Sequence, residues 1–499
     1  MNAAFPPSVD LLVIGGGING TGVARDAAGR GLTTLLVERE DLASATSQWS
    51  TKLIHGGLRY LEHYEFRLVA ESLAEREVLI AQAPHLVEPL SFCLPHEPHL
   101  RPAWMIRAGL FLYDHIAGRK TLPGSFGVDL ERSRWGAGLK PRFRKGFVYA
   151  DARVDDARLV LATAEAARRR GAHVHTRTRL TGAVRDNGAW RATLVDASGA
   201  HEVRAKAIVN VAGPWVADVL KTMSSAPTGA SVRHVKGSHI VVPRVHDEAH
   251  AYILQNADKR IVFVIPWLDR YSVIGTTDVP VTEYENPQIT DTEVDYLLEL
   301  ANAYLAKPLA RADIVWTYSG IRPLYDDGKS DPSSITRDYV LKVDGGERNA
   351  APPVLSIYGG KLTTYRKLAE SALQALRPWF TTMKPDWTEG DTLPGGELPQ
   401  RDRNAWIADL QRRYPQLSAT LVRDLGRRHG SNAPLVLGEA KTAADLGRDF
   451  GNELYEREVD YALRNEWAMT ADDVMWRRTK CGILMTPAQR RALADFVGA

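Results

Sequence analysis

A run of glycines directly after an apolar segment constrains the fold of this chain more than any other feature. Leu11-Leu12-Val13-Ile14 is continuously apolar, which is typical of a parallel strand buried on both faces. The next residues, Gly15-Gly16-Gly17-Ile18-Asn19-Gly20, match the G-x-G-x-x-G pattern of a strand–turn–helix unit. In such a unit Gly15 permits the tight turn, Gly17 lets the backbone approach a pyrophosphate, and Gly20 lets the helix pack on the strand. The sequence therefore predicts a Rossmann-like dinucleotide-binding domain.

The second strand of this unit supports the same interpretation. Leu35-Leu36-Val37 is apolar and ends at Glu38, close to the spacing of about 20 residues expected for the acid that binds a ribose. The loop that follows contains Thr46 and Ser47 and leads to Lys52, so it can line the pyrophosphate and ribityl chain of FAD. A solvent-exposed loop is the alternative. No second G-x-G-x-x-G occurs, so a flavoprotein would have no separate nicotinamide site of this type.

Composition excludes several classes of protein. The 499 residues include 63 Lys and Arg against 60 Asp and Glu, a formal charge of +3, which argues against a nucleic-acid binder with a large basic field. The two cysteines, Cys93 and Cys481, form no metal-binding or redox spacing, so we expect reduced thiols and no metal site. We also expect neither a signal peptide nor a transmembrane helix. Peripheral membrane attachment remains open.

The rest of the chain divides into a β-rich middle and a helical end. Strand-like segments bounded by Gly and Pro recur between residues 207 and 276, and Ser356–Leu376 again has the pattern strand, glycine turn, helix. Residues 388–403 are rich in Gly and Pro and are typical of a linker, and the residues after them have helical patterns. A second strand–turn–helix so far from the first indicates a nucleotide domain interrupted by another domain.

Longer motifs identify a family. The chain resembles the FAD-dependent sn-glycerol-3-phosphate dehydrogenases, above all the bacterial aerobic, respiratory enzymes, from about Asp10 to the C-terminal helices. The resemblance rests on five segments: Gly15–Gly20, Ser50–Glu62, Tyr318–Leu324, Ile335–Tyr339 and Gly359–Arg366.

The resemblance implies an α/β fold with three parts. They are a Rossmann-like FAD domain of the glutathione-reductase or D-amino-acid-oxidase type, a substrate cap with an antiparallel sheet, and a helical C-terminal domain. The expected boundaries are residues 1–85, 147–230 and 350–387 for the FAD domain, 86–146 and 231–349 for the cap, 388–402 for the linker, and 403–499 for the helical domain.

The resemblance also implies a reaction. We expect FAD-dependent oxidation of sn-glycerol 3-phosphate to dihydroxyacetone phosphate by hydride transfer to flavin N5, with electrons passed to a membrane quinone. A homodimer attached peripherally to the cytoplasmic face of the membrane, without a nucleic-acid partner, is the implied assembly. Two alternatives stay open: a glycerol-3-phosphate oxidase that uses oxygen, and a non-catalytic flavin-binding regulatory or tRNA-associated protein.

Arginine residues in the family motifs predict a phosphate-binding site. A phosphate dianion in a partly dry pocket needs fixed positive charge, and the planar fork of arginine suits its oxygens. The family motifs place five residues at the substrate: Arg59, Tyr60, Thr276, Arg322 and Arg337. Solvated or salt-bridged arginines are the alternative.

Histidines are the natural proton acceptors near neutral pH, so His55 and His239 are both candidates for the base. Lys361 follows Gly359-Gly360 where a helix begins, and it is expected to face either the flavin N1–C2=O edge or the substrate phosphate. Gly213 follows the strand that ends at Val211 and fits a backbone contact with FAD, with a simple turn as the alternative. Gly360, Leu362 and Thr363 of the family segment are three further cofactor contacts.

A basic, aromatic-rich stretch is the candidate for membrane contact. Residues 101–113 combine Trp104, Phe111 and other apolar side chains with arginines, and Lys140–Lys145 is basic as well. Such amphipathic segments can lie in the headgroup interface. A helix packed on the core or on a dimer partner is the alternative.

Overall fold

The computed structural model describes residues 4–97, 101–118, 121–224, 231–256, 260–326, 338–345 and 350–498. In chain order, the strands of these residues are β1 (Ser8–Ile14), β2 (Thr34–Val37), β3 (Leu53–Ile54), β4 (Val87–Pro95), β5 (Phe126–Asp129), β6 (Lys145–Val154), β7 (His173–His175), β8 (Arg179–Asp186), β9 (Ala189–Asp196), β10 (Gly199–Asn210), β11 (Val232–Pro243), β12 (Ala251–Gln255), β13 (Ile261–Trp267), β14 (Tyr271–Gly275), β15 (Val279–Val281), β16 (Trp316–Tyr325), β17 (Val340–Asp344) and β18 (Val354–Tyr358).

The α-helices of the same residues are α1 (Ile18–Gly29), α2 (Phe66–Gln82), α3 (Ala103–His115), α4 (Asp156–Arg169), α5 (Val216–Lys221), α6 (Asp291–Tyr304), α7 (Tyr365–Leu376), α8 (Arg403–Arg413), α9 (Ala419–His429), α10 (Ala433–Leu437), α11 (Glu456–Asn465) and α12 (Pro487–Gly498). Short 3-10 helices at Thr46–Gln48, Leu58–His63 and Leu362–Thr364 and a π-helical segment at Asp473–Arg478 also matter for the site.

The first sheet is built around five parallel strands in the order β18-β10-β1-β2-β7. Its central strands are apolar because both faces are covered: Leu11, Leu12 and Val13 are fully buried. Helices α1, α4 and α7 pack together on one face, and the antiparallel strands β8 and β9 extend from β10. This arrangement is the predicted Rossmann-like domain.

The second sheet is mainly antiparallel and follows the path β15-β11-β14-β13-β12-β4-β6-β3. Strand β16 pairs with β11 over its whole length, and α6 covers one face of the sheet. A capping box fixes the start of α6, because Thr290 accepts a hydrogen bond from the Glu293 N–H while the Glu293 carboxylate accepts one from the Thr290 N–H. The predicted cap with an antiparallel sheet is therefore present, and the α/β fold class is confirmed.

The boundaries between these two units differ from the predicted ones. Residues 147–154, expected in the FAD domain, lie in β6 and pair with β4 of the second sheet. Strand β3, also expected in the FAD domain, pairs with β6. Conversely, β17 is expected in the cap but pairs with β18 at the edge of the first sheet. Short apolar strands carry no local mark of the sheet that they join, so tertiary pairing decided these positions.

The helical C-terminal region packs on the first unit. The predicted linker is part of this contact, since Thr388 is buried and its hydroxyl accepts a hydrogen bond from Arg366 of α7. Farther along, Arg478 binds the buried Asp41 carboxylate with an N–O distance of 2.9 Å. Arg177 forms two hydrogen bonds of 2.9 Å to Asp473. These ion pairs join the π-helical segment to the loops that follow β2 and β7.

The packing of α1 on β1 yields a testable consequence. A Cβ atom on Gly20 would lie 1.8 Å from the Gly15 carbonyl oxygen, far below any contact that real side chains make. We expect Gly20→Ala to lower the free energy of unfolding by about 3 kcal/mol, because α1 must move away from the turn. Chemical denaturation measures this loss. Gly109→Ala is the matched control, since a Cβ added to Gly109 of α3 would meet no other atom of the described residues within 4 Å. Equal stability of the two variants would contradict this packing.

Candidate active site

A cavity of about 1460 Å³ lies between the two sheets and reaches the C-terminal helices. It is larger than the roughly 300–1000 Å³ of ordinary ligand pockets, which suits a dinucleotide together with a second molecule. Most predicted site residues line it: Gly15, Gly17, Glu38, Thr46, Ser47, His55, Arg59, Tyr60, Gly213, His239, Thr276, Arg322, Gly360, Lys361, Leu362 and Thr363. Gly20 packs behind it, Lys52 is directed elsewhere, and Arg337 lies outside the described residues.

Glu38 is held beside the glycine turn by two backbone donors. Its carboxylate accepts hydrogen bonds from the Gly16 N–H at 2.6 Å and from the Glu40 N–H at 2.8 Å. Burial raises the pKa of Glu38 above its ordinary value, although both N–H groups favour the charged form. The side chain therefore sits where the strand–turn–helix pattern requires an acceptor for ribose hydroxyl groups.

The N-terminus of α1 provides a cradle for a pyrophosphate. Gly17 precedes the first turn, no acidic residue occupies that turn, and a Cβ on Gly17 would lie 3.0 Å from Ser47 Oγ. Ser47 Oγ accepts a hydrogen bond from the Ile18 N–H at 3.0 Å, and Thr46 Oγ1 donates one to the Ile321 carbonyl at 2.6 Å. Both hydroxyl groups thus join the loop after β2 to neighbouring segments. The cradle fits the diphosphate of FAD.

Lys52 does not line the cavity, so its predicted contact with the cofactor is wrong. Its ammonium is buried and donates hydrogen bonds to the Gln48 carbonyl at 2.8 Å and to the Asp156 carboxylate at 2.9 Å. Burial lowers the pKa of Lys52, and Asp156 opposes this shift. Lys52 therefore stabilises the loop after β2 from its buried side. This role depends on Asp156 at the start of α4, more than a hundred residues later in the chain.

The segment after β18 lies beside the N-terminal turn of α1. The chain turns there through Gly359 and Gly360, whose φ angles of +71° and +93° favour glycine. Asn19 Nδ2 donates a hydrogen bond to the Gly359 carbonyl at 3.2 Å, which ties this segment to α1. The Lys361 ammonium lies 3.9 Å from the centroid of the Tyr60 ring. A 3-10 helix begins directly after Lys361, so its N–H groups add positive potential at this end of the cavity.

Arg322 is oriented by two partners in the loop after β14. Its guanidinium donates to Asp278 Oδ1 at 2.8 Å and to Thr276 Oγ1 at 3.2 Å, and its side chain is 37% exposed toward the cavity. Arg59 borders the same cavity beyond Tyr60. Together with Lys361, three cationic side chains thus line the cavity, which matches the requirement of a phosphate dianion. Thr276 thus orients Arg322 by accepting its hydrogen bond, whereas the sequence predicted only that Thr276 lies in the substrate pocket.

His55 borders the cavity between the two sheets. The backbone N–H of His55 donates a hydrogen bond to Thr363 Oγ1 at 3.2 Å. Burial lowers the pKa of the His55 imidazole, the Asp151 carboxylate raises it, and the cations Lys361 and Arg76 lower it. The ring is therefore neutral at pH 7 and able to accept a proton.

His239 is more deeply enclosed. Its Nε2 lies 3.0 Å from Thr51 Oγ1, and its ring stacks on Tyr318 with centroids 4.5 Å apart. Nδ1 is buried and has no hydrogen-bond partner among the described residues. Burial holds the pKa of His239 well below its ordinary value, and Arg322 and Lys52 add to this shift. The pKa of His239 is thus depressed more strongly than that of His55, which favours His55 over His239 as a proton acceptor.

Several cavity residues were missed by sequence reasoning. Asp151 lies at the cavity wall behind His55, and no local motif marks it. Trp316 of β16 stacks on Trp476 of the π-helical segment with centroids 5.3 Å apart, and both line the cavity. Asp473 and Arg477 of that segment line it too. The helical C-terminal domain therefore forms part of the wall, which only its position against the first unit reveals.

Comparisons with known proteins agree with this geometry. The family described as "FAD dependent oxidoreductase" matches residues 10–366, and the one described as "C-terminal domain of alpha-glycerophosphate oxidase" matches residues 387–498. The chain is 53% identical over 496 residues to the aerobic glycerol-3-phosphate dehydrogenase of Escherichia coli strain K12, covering 98% of this chain and 97% of that protein. It is 47% identical over 496 residues to the D-erythritol 1-phosphate dehydrogenase of Brucella abortus strain 2308, covering 99% and 98%.

A solved structure shows the same fold. The glycerol-3-phosphate dehydrogenase of Bacillus halodurans in complex with FAD superposes with a TM-score of 0.76 at 26% identity, covering 98% of this chain and 94% of that one. The fit of the turn, Glu38 and the α1 cradle to a dinucleotide thus agrees with the cofactor in that structure.

The contacts of Glu38 predict its effect on cofactor affinity. Each carboxylate oxygen accepts one backbone N–H, whereas an amide offers only one oxygen. We expect Glu38→Gln to weaken FAD binding by about 10- to 100-fold, because one N–H of the turn loses its partner and the ribose loses a charged acceptor. Titration of the apoprotein with FAD, followed by flavin fluorescence, measures the change. Glu202→Gln, on the exposed face of β10, is the control, and equal affinities would refute the assignment.

Proposed function

The chain belongs to the FAD-dependent oxidoreductase family and carries the C-terminal domain of the alpha-glycerophosphate oxidases; on this premise we propose that it oxidises sn-glycerol 3-phosphate to dihydroxyacetone phosphate and passes the electrons to a membrane quinone. The observation that carries the proposal is that one cavity is lined by the cations Arg322, Arg59 and Lys361 and by the imidazoles of His55 and His239. The names of the bacterial relatives support the substrate.

The cationic side chains would bind the phosphate. Arg322 is already aimed by Asp278 and Thr276, so little side-chain entropy is lost when it binds an anion. The Asp278 carboxylate also offsets part of the positive charge of Arg322. Repulsion of Lys361 and Arg59 by Arg322 is therefore weaker when no anion is bound. A longer polyol phosphate carries the same headgroup, so the phosphate contacts alone do not select the length of the carbon chain.

Oxidation of the alcohol requires that C2 lose a hydride and its hydroxyl a proton. Bound FAD supplies the hydride acceptor. His55 takes the hydroxyl proton on a ring nitrogen, which is free to accept because the imidazole is neutral at pH 7. Lys361 and the N–H groups of the 3-10 helix at Leu362–Thr364 stabilise the negative charge that develops at their end of the cavity. Trp49, Trp316 and Tyr318 line the wall and exclude water.

Exposed apolar side chains support contact with a membrane, which is where this protein would encounter a quinone. Trp104 and Phe111 of α3 are 69% and 58% exposed, and Tyr64 is 80% exposed. Helix α3 packs on the 3-10 helix at Leu58–His63, directly before Tyr64, and Arg101 pairs with Glu62 at 3.3 Å, so these side chains belong to neighbouring segments. Among the described residues, no helix is both long enough and apolar enough to cross a bilayer. We propose peripheral attachment to the cytoplasmic face through this surface.

The basic stretch at Lys140–Lys145 supports the proposed membrane contact less than its sequence suggested. Lys140 and Arg142 donate hydrogen bonds to the Asn302 and Ala303 carbonyls at the C-terminal end of α6, so they cap that helix. The homodimer implied by the family resemblance stays a prediction.

Removal of Arg322 tests the substrate. The FAD-loaded protein is mixed without oxygen with sn-glycerol 3-phosphate, and the loss of flavin absorbance is followed. We expect rapid bleaching by the parent protein, reversed by a quinone analogue. In Arg322→Ala the apparent second-order rate constant for bleaching should fall about 100-fold, because a charged, oriented donor to the phosphate is lost. Arg191→Ala, an exposed arginine on β9, is the control.

Three outcomes would change the proposal. D-Erythritol 1-phosphate in place of sn-glycerol 3-phosphate tests the length of the carbon chain, and faster bleaching by it would move the substrate to the longer phosphate. Rapid reoxidation by oxygen with peroxide release, and none by quinone, would favour an oxidase. Absence of bleaching by either phosphate would refute the proposed reaction.

The exposed side chains of α3 predict membrane affinity. Trp104→Glu combined with Phe111→Glu should reduce binding to anionic phospholipid vesicles by about 10-fold or more, because two large apolar side chains no longer enter the interface. Vesicle sedimentation measures the bound fraction. Leu435→Glu with Val195→Glu is the matched control, since both residues are exposed on other parts of the surface. Unchanged vesicle binding after the α3 substitutions would refute the assignment of α3 as a membrane-binding surface.

A further inference from the structure

A buried polar cluster lies directly behind the His55 loop, and none of its members has a role in the proposed reaction. They are Asp151 of β6, Tyr113 of α3 and Arg76 of α2, each at most 4% exposed. The Tyr113 hydroxyl lies 2.9 and 2.8 Å from the two Asp151 oxygens, and Arg76 donates to Asp151 Oδ1 at 2.6 Å. An anion with this many donors is fixed in position.

The cluster holds the backbone next to His55. The Gly56 N–H lies 2.9 Å from the Tyr113 hydroxyl oxygen and 3.4 Å from Asp151 Oδ1. On the other side, the His55 N–H is bound by Thr363. The two peptide groups that flank the His55 Cα are thus anchored by different elements, α3 with β6 and the segment after β18. A Cβ on Gly56 would lie 2.6 Å from the Tyr113 oxygen, so the close approach also depends on this glycine.

The charges around His55 give the cluster an electrostatic role. Lys361 from the segment after β18 and Arg76 from α2 both oppose a positive imidazole, whereas Asp151 from β6 favours it. The ring of Phe263 of β13, 6.5 Å from the imidazole between centroids, carries no charge, and Thr363, which binds the His55 backbone N–H, is neutral. Without Asp151, a proton on the buried His55 ring would face two cations.

We infer that Asp151, held by Tyr113 and Arg76, is a positioning residue that orients the His55 loop and stabilises the charge that His55 gains when it accepts the substrate proton. The inference rests on the proposed oxidation and names the group that makes its base effective. The Arg76 guanidinium lies 2.6 Å from Asp151 Oδ1 and balances the charge of the buried carboxylate. Tyr113 stays protonated, because burial and Asp151 raise its pKa well above the ordinary value, and its hydroxyl therefore remains a donor.

The pH dependence of flavin reduction tests this role. In the parent protein the rate of anaerobic bleaching by sn-glycerol 3-phosphate should rise with pH as His55 loses its proton, since only the neutral ring is a base. In Asp151→Asn the midpoint should move down by about one pH unit or more, because the anion that favours imidazolium is gone, and the maximal rate should fall at least about 10-fold. A merely structural defect would lower the rate without moving the midpoint, and that result would overturn the inference.

A second variant covers the case in which Asp151→Asn does not fold. Tyr113→Phe removes one hydroxyl and keeps the buried charges. It should lower the maximal rate about 5-fold with KM for sn-glycerol 3-phosphate changed less than about twofold, because the loop loses a hydrogen bond while the phosphate site is intact. Tyr252→Phe is the matched control, as its buried hydroxyl donates to the Trp135 and Ala137 carbonyls away from the cavity. Equal rates per bound FAD in both tyrosine variants would also overturn the inference.

A direct titration separates this inference from the proposed reaction. The pKa of His55 can be followed by NMR of protein with ring-labelled histidine, with the signal assigned through His55→Gln. A lower pKa in Asp151→Asn would support the electrostatic role even if sn-glycerol 3-phosphate fails to reduce the flavin. An unchanged pKa would refute that role whatever the substrate proves to be.

Discussion

The contact between the first turn of α1 and the end of β1 is the constraint on which the site depends. Gly20 lies against the Gly15 carbonyl so closely that no side chain fits between them. This contact directs the helix N-terminus at the cavity and sets the distance from Gly16 to Glu38, which accepts its N–H. The pyrophosphate cradle and the ribose acceptor are thus products of one packing contact, and the rest of the cavity is assembled around them.

The remaining walls come from parts of the chain that are far apart in sequence. The second sheet brings Arg322 and His239 to the cavity wall, and the segment after β18 adds Lys361. The C-terminal helices close another side through Trp476 and the ion pairs of Asp41 and Asp473. Because these ion pairs are buried and hydrogen-bonded, loss of one partner would leave an uncompensated charge. The helical domain is therefore an integral part of the cavity wall.

Helix α3 has two faces with different environments. Its outer side exposes Trp104 and Phe111, and its inner side places the Tyr113 hydroxyl against Asp151 and the Gly56 N–H. The surface proposed to meet the membrane and the groups that hold the His55 loop thus lie on one short helix. Sequence analysis singled out this stretch for its exposed aromatic residues and arginines, but the inward role of Tyr113 depends on residues of β6 and α2 that no local pattern connects to it.

The nucleotide-binding unit could be predicted from local sequence alone, since its pattern is local: an apolar strand, glycines at fixed spacing and an acid after the second strand. Family motifs extended this to most of the residues that line the cavity. Only the tertiary structure decided that β3 and β6 join the second sheet, that Lys52 pairs with Asp156, and that Asp151 stands behind His55. Strand pairing and the pairing of buried charges are contacts between distant segments, and their partners are chosen by packing and by the cost of burying an unpaired charge, neither of which leaves a local mark in the sequence.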